Sequence, residues 1–312
     1  MGAPIVVPAG LRAAADTAYG PDLQRWVAGL PEAVAAVRAH WSLTLGPVLQ
    51  PGGRGSWVAP VVDGGPAGAV ADLQDGLVVK IAFRHPEAEA EATGLRLLTG
   101  RSAVRLVDEW QDERTAALLL ERCRPGVELG RARAGPEQDA VVAAMLRHCW
   151  SVPVGDARLP SLESMAAYWA DSFREQLDRT RAVTERERAS ATVDPGLAAE
   201  ALSEWSDLAR PGPGDRMLLT DLHAGNILSA RREPWLLIDP KPHLGDPAYD
   251  PLQHLLNCPD RLTTNPAALA DGLAERCGLD AARLRRWLFA RCVLESLDRP
   301  ELADVARLLT GR

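Results

Sequence analysis

The sequence predicts an α+β fold with two lobes, a small lobe built on an antiparallel sheet and a larger, mostly helical lobe that follows it. Short apolar runs separated by Gly-rich or polar turns recur between about residues 45 and 123. From residue 127 onward, apolar residues recur mostly at helical spacing. Within residues 217–250, two short apolar runs each end near an aspartate, which is typical of strands leading into loops. We therefore expect lobes at residues 1–123 and 124–312.

Composition limits the possible partners. The 312-residue chain has a net charge of −7, which argues against a nucleic-acid partner and is mildly favourable for a cationic small molecule. Its five cysteines show no C-x-x-C pair, so we expect reduced thiols and a cytoplasmic location. The apolar N-terminus lacks a basic region and is interrupted by Pro4 and Pro8, and no apolar run approaches the length of a membrane span. We expect a monomer or dimer without a membrane partner.

The first predicted elements are two helices in residues 22–41. Leu23, Trp26 and Leu30 recur at helical spacing, and Pro31 is suited to the first turn of a second helix. We expect this helical pair to pack its apolar side chains against a sheet.

A Gly-rich turn at residues 50–56 follows, between apolar runs that resemble the two strands of a hairpin. Backbone N–H groups of such a turn can approach phosphate oxygens because glycine has no Cβ to block them. Gly53, Gly55 and Ser56 are the candidate phosphate contacts. The alternative is an ordinary turn without a ligand.

The next predicted strand, residues 76–83, contains Lys80 among apolar and β-branched residues. A lysine in such a run needs a partner if it is buried, and in this arrangement it would hold nucleotide phosphates and pair with a glutamate of the following helix. Glu87, Glu89 and Glu91 are the possible partners. The alternatives are an edge-strand lysine directed to water and a solvated face of glutamates.

Two more strands are predicted at residues 104–107 and 116–120, separated by the polar segment 108–115. The residues after the second strand, around Glu121 and Cys123, are the expected connection between the lobes. A simple surface turn is the alternative.

The rest of the chain reads as helices apart from the segment at 217–250. A stripe at helical spacing predicts one long amphipathic helix and is interpreted as core. Its members are Leu162, Met165, Trp169, Phe173 and Leu177. The Pro- and Gly-rich residues 210–215 form a linker, and further helices are expected at residues 251–256, 266–277 and 280–297.

The segment 217–250 has the residues that phosphoryl transfer requires. Asp221 and Asn226 have Asp-x-x-x-x-Asn spacing, and Asp239 follows the next apolar run. In kinases an Asp at the first position accepts the proton of the attacking hydroxyl, while the Asn and the second Asp hold Mg²⁺ through oxygen atoms. We predict these roles for Asp221, for Asn226 and for Asp239, respectively.

Three stretches carry a family resemblance: Thr-Asp-Leu-His-Ala-Gly-Asn-Ile-Leu (220–228), Trp-Leu-Leu-Ile-Asp-Pro-Lys-Pro (235–242) and Gly-Asp-Pro-Ala-Tyr-Asp (245–250). They resemble the aminoglycoside phosphotransferases, and the second is similar to the branch of streptomycin 6-kinases and hydroxyurea-resistance kinases. The resemblance extends from about residue 45 to the C-terminus. Leu219 and Thr220 depart from it, because many members have His-Gly before the catalytic Asp.

The resemblance implies a protein-kinase-like fold that uses ATP and Mg²⁺. It selects Glu91 as the partner of Lys80, since the family's glutamate precedes a segment like Ala-Leu-Arg-Leu. Backbone groups near Glu121 and Cys123 would contact the adenine. The implied reaction transfers a phosphoryl group to a hydroxyl of a cationic aminoglycoside or similar polyol, with streptomycin the first candidate.

A cationic acceptor requires carboxylates in its pocket, each contributing about 1.5–3 kcal/mol through charge-assisted hydrogen bonds. Glu295 is one candidate, although a glutamate on a helix is often only solvated. The resemblance assigns Asp246 and Asp250 to shaping the loop under the metal first and to facing the substrate second. His223 is interpreted as bracing the catalytic loop.

Three other functions are compatible with parts of the sequence. A kinase of another small hydroxylated metabolite would use the same catalytic residues. A catalytically silent nucleotide-binding protein is suggested by Leu219 and Thr220. A di-metal hydrolase would use His223 with neighbouring aspartates and His243, but Lys80 and the Gly-rich turn would then have no role.

Overall fold

The computed structural model describes residues 5–17, 20–66, 73, 75–187 and 193–310, without the side chains of residues 17, 20, 86–89 and 181–187. The chain divides into two compact units. The first combines Met1–Val127 with Leu228–Ile238, and the second combines Glu128–Ile227 with Asp239–Arg312. A short segment from the middle of the predicted helical lobe, residues 228–238, therefore belongs to the first unit.

The strands, in chain order, are β1 Thr44–Leu45, β2 Ser56–Asp63, β3 Leu77–Phe83, β4 Leu106–Gln111, β5 Thr115–Glu121, β6 Arg216–Leu218, β7 Ile227–Ser229, β8 Trp235–Leu237 and β9 His243–Gly245. The helices are α1 Ala9–Thr17, α2 Gly20–Ala28, α3 Leu30–Trp41, α4 Pro86–Leu98, α5 Leu129–Ala132, α6 Gly135–Trp150, α7 Leu162–Glu187, α8 Pro195–Leu208, α9 Leu252–Leu256, α10 Pro259–Thr264, α11 Pro266–Cys277, α12 Ala281–Glu295 and α13 Glu301–Thr310.

The first unit is organised around an antiparallel sheet with the strand order β1-β2-β3-β5-β4. β3 is central, and Val79 and Ile81 are fully buried on one of its faces. Lys80, between them in sequence, projects from the opposite face because side chains alternate along a strand. It lies across from Val58 of β2 and Leu118 of β5. The sheet thus places one lysine at its centre.

Helices α1–α3 cover the apolar face of this sheet. Trp26 and Trp41 of the two predicted helices are buried in the same core as Val79 and Ile81. The indole N–H of Trp26 donates to Thr115 Oγ1 at 3.1 Å, and that of Trp41 donates to Asp108 Oδ2 at 2.9 Å. Buried tryptophans need such acceptors, so these bonds fix the helices on the sheet.

The hairpin formed by β7 and β8 adds to the first unit through residues 228–238. Leu237 donates its N–H to Ser102 O at 2.8 Å, and Val104 donates to Leu237 O at 3.0 Å. Arg232, in the turn of the hairpin, forms a two-point ion pair with the buried carboxylate of Glu121. Backbone pairing and the Arg232–Glu121 ion pair therefore help to attach the hairpin.

The second unit is helical, and its core includes an aromatic group of Trp205, Tyr249 and Trp287. Their ring centroids lie 5.1–5.9 Å apart in edge-to-face geometry. The predicted long helix is confirmed as α7, with Leu162, Phe173 and Leu177 buried.

Strands β6 and β9 form a short antiparallel ladder in the second unit. Met217 pairs with Leu244, and Leu218 pairs with His243. Past the end of β6, Lys241 N donates to Leu219 O at 3.2 Å. The ladder therefore aligns the segment around Asp221 with the segment that follows Asp239.

Helix α1 was not anticipated, and one expectation about the first unit is wrong. The polar segment 108–115 is mostly strand, because β4 continues to Gln111 and the turn is confined to residues 112–114. β4 lies at the edge of the sheet, where one face can carry polar side chains. Among the described residues, no helix has the length and apolar character that a membrane crossing requires.

Candidate catalytic site

Asp250 braces the loop that leads to Asp221. Its carboxylate is fully buried and accepts hydrogen bonds from Leu219 N at 2.8 Å, Thr220 N at 2.7 Å and Trp150 Nε1 at 3.0 Å. Burial raises the pKa of Asp250 to about 6, although these three hydrogen bonds act in the opposite direction. The prediction that Asp250 also faces the substrate is wrong, because its side chain is not accessible. Its geometry is that of a loop support.

The loop itself folds back on Asp221. Asn226 Nδ2 donates to Asp221 O at 3.1 Å, and His223 Nδ1 accepts from Gly225 N at 3.0 Å. Burial lowers the pKa of His223, which favours the neutral ring that can accept this bond. The loop-bracing interpretation of His223 is consistent with this contact. Asn226 thus uses its amide nitrogen inside the loop, and its Oδ1 is the atom suited to a cation.

Asp239 follows β8 and has φ 55°, in the left-handed region that Asp adopts more readily than most residues. Its carboxylate and Oδ1 of Asn226 are hard oxygen donors of the kind that Mg²⁺ requires. The donor set of these two residues therefore fits Mg²⁺, and their roles as ligands stay a prediction.

The hydrolase alternative fails on the donor set. Within the described part of the chain, no three His, Cys, Asp or Glu side chains come together as a metal site. Asp246 instead bonds Arg283 Nε and Trp287 Nε1, both at 2.6 Å, and Asp250 holds backbone amides. These aspartates have structural partners.

Lys241 lies against the predicted catalytic carboxylate. Its Nζ is 2.8 Å from Asp221 Oδ2, and the two side chains are 27% and 24% exposed. Its backbone N–H donates to Leu219 O at 3.2 Å, and its carbonyl accepts from Thr220 Oγ1 at 2.7 Å. The departure from His-Gly at positions 219 and 220 thus gives this loop a threonine hydroxyl that binds the facing segment.

Lys80 and Glu91 form the ion pair expected in the first unit. Lys80 Nζ is 2.6 Å from Glu91 Oε2, and the side chains are 10% and 3% exposed. The alternative of an edge lysine directed to water is wrong, since β3 lies between β2 and β5. The side chains of Glu87 and Glu89 lie outside the described residues. Binding of phosphate by Lys80 stays a prediction.

The Gly-rich turn lies between β1 and β2, and Ser56 begins β2. The glycine whose backbone requires it is Gly52, with φ 78°, where a Cβ would also lie 2.4 Å from Pro8 Cβ. Gly53 and Gly55 do not have positive φ. A Cβ at Gly53 would be 3.2 Å from Ser56 Oγ. The predicted phosphate contacts through Gly53, Gly55 and Ser56 stay a prediction.

The two residues predicted to contact adenine, Glu121 and Cys123, differ in whether the backbone N–H already has a hydrogen-bond partner in the sheet. The backbone N–H of Glu121 already donates to Arg105 O at 2.9 Å, and its carboxylate binds Arg232 and Arg105 N, so this amide is occupied within the sheet. Cys123 follows two residues later. Burial raises the pKa of its thiol to about 12, which keeps the sulfur uncharged. Contact between Cys123 and adenine stays a prediction.

Glu295 is paired with arginines. Its Oε1 accepts from Arg291 Nε at 2.6 Å, and its Oε2 lies 3.5 Å from Arg299 Nη1. The guanidinium of Arg291 is buried, stacks 3.7 Å from the ring centroid of Trp169 and donates to Tyr249 OH at 3.0 Å. Recognition of a cationic substrate by Glu295 stays a prediction, and both of its oxygens have arginine neighbours.

Lys241, Thr220 and Arg232 were not identified by the sequence reasoning. One signal was present for the first of them. Of the 35 Lys and Arg residues in the chain, only Lys80 and Lys241 are lysines. Each of these lysines forms an ion pair with a carboxylate of the predicted site. Their rarity in an arginine-rich sequence distinguishes them without any structure.

Comparison with known proteins gives the family. A family model described as "Aminoglycoside/hydroxyurea antibiotic resistance kinase" matches residues 40–299. A streptomycin 6-kinase of Streptomyces glaucescens is 33% identical, over 94% of this chain and 90% of its own length. A hydroxyurea phosphotransferase of Kitasatospora aureofaciens is 34% identical, over 98% of this chain and 84% of its own length.

Solved structures support the same fold at low identity. A spectinomycin phosphotransferase in complex with ADP and spectinomycin matches with a TM-score of 0.51 and 13% identity, over 89% of this chain and 93% of that one. A choline/ethanolamine kinase family protein from Mesorhizobium loti matches with a TM-score of 0.55 and 15% identity, over 96% of this chain and 93% of that one. The predicted kinase-like fold is confirmed. The chain belongs to the aminoglycoside/hydroxyurea antibiotic resistance kinase family and is a phosphotransferase.

Proposed function

We propose that this protein transfers the γ-phosphoryl group of ATP to a hydroxyl of a cationic aminocyclitol antibiotic, with streptomycin the first candidate acceptor. The observation that carries the proposal is the conformation of residues 219–226. Asp221 is 24% exposed at the start of a loop that the buried Asp250 braces and that Asn226 closes. The streptomycin 6-kinase that is 33% identical over 94% of the chain supports this acceptor.

Asp221 has the central role in the proposed reaction. Its carboxylate orients the acceptor hydroxyl and takes up its proton as the oxygen bonds to phosphorus. The backbone bonds to Asp250 keep this loop in one conformation, so the carboxylate is positioned before the acceptor arrives.

Asn226 and Asp239 would hold Mg²⁺, which when bound neutralises charge on the nucleotide phosphates. Asn226 is oriented by its bond to Asp221 O, and Asp239 lies in the connection between β8 and β9.

In the first unit, Lys80 would bind nucleotide phosphates with its ammonium oriented by Glu91. A buried lysine with a carboxylate partner keeps its charge and its direction, which a phosphate ligand needs. The turn containing Gly53, Gly55 and Ser56 would add backbone N–H contacts to the phosphates.

A second acceptor class is supported by one observation. The hydroxyurea phosphotransferase is 34% identical over 98% of the chain. The same residues would then phosphorylate a different small hydroxylated molecule. The silent nucleotide-binding alternative loses its main support, because Leu219 and Thr220 leave the loop braced by Asp250.

An acceptor panel tests the proposal. Purified protein with Mg·ATP is assayed for ADP release with streptomycin, spectinomycin, hydroxyurea, choline or no acceptor, and products are identified by mass spectrometry. We expect the largest stimulation and a monophosphorylated product with streptomycin, and none from Asp239→Asn. If only hydroxyurea raised ADP release, the second acceptor class would be favoured. If none of these acceptors raised ADP release, both acceptor classes would be rejected.

A further inference from the structure

We propose that Lys241 is a positioning residue for Asp221, fixing one carboxylate oxygen so that the other faces the acceptor hydroxyl. This inference rests on the proposed function, in which Asp221 accepts the hydroxyl proton. It gives a role to a side chain that the Asp-x-x-x-x-Asn spacing and the second aspartate leave unexplained.

The contact itself is short and directional. Lys241 Nζ lies 2.8 Å from Asp221 Oδ2, which is hydrogen-bond distance. A carboxylate on a loop can rotate about two side-chain torsions, and an ammonium on one oxygen restricts that rotation. Oδ1 of Asp221 is then the oxygen left to receive a proton. Both side chains remain about a quarter exposed, so a substrate can reach them.

The backbone around Lys241 is also fixed to the loop. Lys241 N donates to Leu219 O at 3.2 Å, and Thr220 Oγ1 donates to Lys241 O at 2.7 Å. These two bonds lie just past the paired ends of β6 and β9, where Leu218 faces His243. The lysine therefore starts from a main chain that is bonded to both residues before Asp221.

Thr220 adopts a conformation that a β-branched residue rarely takes. Its φ is 42°, in the left-handed region where glycine is favoured. Such strain persists only where surrounding contacts hold it. Here the amide is held by Asp250 and the hydroxyl by the carbonyl of Lys241. A glycine would relieve the strain but would lose the hydroxyl that holds Lys241.

The choice of lysine is informative in this chain. Only two of its 35 Lys and Arg residues are lysines, and Lys241 is one of them. Arginine is planar and forked, whereas the lysine ammonium is a compact charge with three donors. A compact donor fits beside one carboxylate oxygen and leaves the second uncovered, while a guanidinium tends to bind both oxygens.

The chemical step balances without a proton from Lys241. The acceptor oxygen forms a bond to the γ-phosphorus, and the bond to the bridging oxygen breaks with its electron pair leaving on ADP. The hydroxyl proton passes to Oδ1 of Asp221. Lys241 keeps its three protons throughout and holds Oδ2 through the step.

The first test compares kcat and KM in Lys241→Met, Lys241→Arg and wild type. We expect Lys241→Met to lower kcat about 100-fold while KM for ATP and for the acceptor changes little, because misplacing a reacting group acts on the chemical step. Lys241→Arg keeps the charge, so its kcat should lie between those of Lys241→Met and wild type. Propylammonium added to Lys241→Ala should raise its kcat, and tetramethylammonium, which has no N–H donor, should not.

A matched control is available in the first unit. Arg231 is a basic residue of the β7–β8 turn whose Nη1 also lies 2.8 Å from a carboxylate, that of Asp75. Arg231→Met should leave kcat unchanged. Circular dichroism and thermal unfolding of every variant show whether it is folded.

The second test acts through Thr220. Thr220→Val keeps the shape but removes the hydroxyl, and we expect kcat to fall about tenfold as Lys241 loses its backbone anchor. Thr220→Ser keeps the hydroxyl and should lose less. Equal losses in the two variants would contradict the proposed anchoring.

The outcomes separate this inference from the proposed function. If wild type phosphorylates an acceptor and folded Lys241→Met has wild-type kcat, the inference is overturned and the function stands. If wild type phosphorylates no acceptor, the proposed function fails, and ADP release to water is compared instead. If Lys241→Met then releases ADP as fast as wild type, or if wild type releases no ADP, the inference is overturned as well. Loss of activity in Lys241→Ala that propylammonium does not restore would reduce Lys241 to a structural role.

Discussion

Two lysine–carboxylate pairs of similar length differ in what surrounds them. Lys80 and Glu91 lie 2.6 Å apart and are 10% and 3% exposed, on a central strand and a helix. Lys241 and Asp221 lie 2.8 Å apart and are 27% and 24% exposed, on two loops. Removing one member of a buried pair of this kind should destabilise the fold, because the remaining charge would stay inside the protein without that partner. A pair that is a quarter exposed adds little stability, so the proposed value of this pair is in the reaction.

The largest predicted effect separates activity from stability at the exposed pair. Asp221→Asn should reduce kcat by about 10³-fold or more, since the proton acceptor is lost. Its melting temperature should change by less than about 3 °C, because an exposed pair contributes about 0–1 kcal/mol. ADP-release kinetics and thermal unfolding measure the two quantities. Asp207→Asn, which removes a surface partner of Arg210, is the control. A large loss of stability in Asp221→Asn would break the comparison.

Breaking the buried Lys80–Glu91 pair should lower activity and stability together. Glu91→Gln should lower kcat/KM for ATP by about 100-fold and the free energy of unfolding by roughly 2–4 kcal/mol, because Lys80 keeps its burial but loses its counter-charge. Steady-state kinetics and urea unfolding measure these effects. Glu113→Gln, in the exposed turn between β4 and β5, should change neither. If the two variants behaved alike, Glu91 would not be the partner that matters.

A third pair, His254 with Asp139, is also buried and provides a further comparison. Burial alone would lower the pKa of His254, but the hydrogen bond to Asp139 at 2.9 Å raises it to about 9 from 6.5. Protonated His254 therefore stabilises the fold fully below pH 6.5, and this contribution is lost as the pH rises through 9.

We expect wild type to lose roughly 2 kcal/mol more than His254→Gln when urea unfolding is compared at the lower and upper ends of this window. His40→Gln, at an exposed position, should follow wild type. Parallel curves for wild type and His254→Gln would show that this pair does not titrate as a buried one.

The smallest effect concerns salt. Double-mutant cycles on melting should give the Lys241–Asp221 pair a coupling of about 0.5–1 kcal/mol at low salt that falls toward zero near 1 M, where the Debye length is about 3 Å. The coupling between Lys80 and Glu91 should change little, because solvent ions do not reach it. A salt-sensitive buried pair would contradict the assigned exposures.

The two pairs also differ in how far sequence reasoning reached them. Lys80 was identified because a charged residue within an apolar run requires a partner, and the next helix offered glutamates. Lys241 was quoted within a motif but given no role, since a lysine in a polar loop is usually solvated. Asp250 was expected to have a structural role first, which its burial supports, but not to be inaccessible.

The sequence by itself determined most of the order of elements after residue 22, the strand that carries Lys80, the spacing of Asp221, Asn226 and Asp239, and the family. These depend on local periodicity and on nearest neighbours along the chain. The tertiary structure decided that Lys241 lies on Asp221 and that Arg232 holds Glu121. Loop conformation and strand register bring these side chains together from positions far apart in the chain, and no local pattern encodes such contacts.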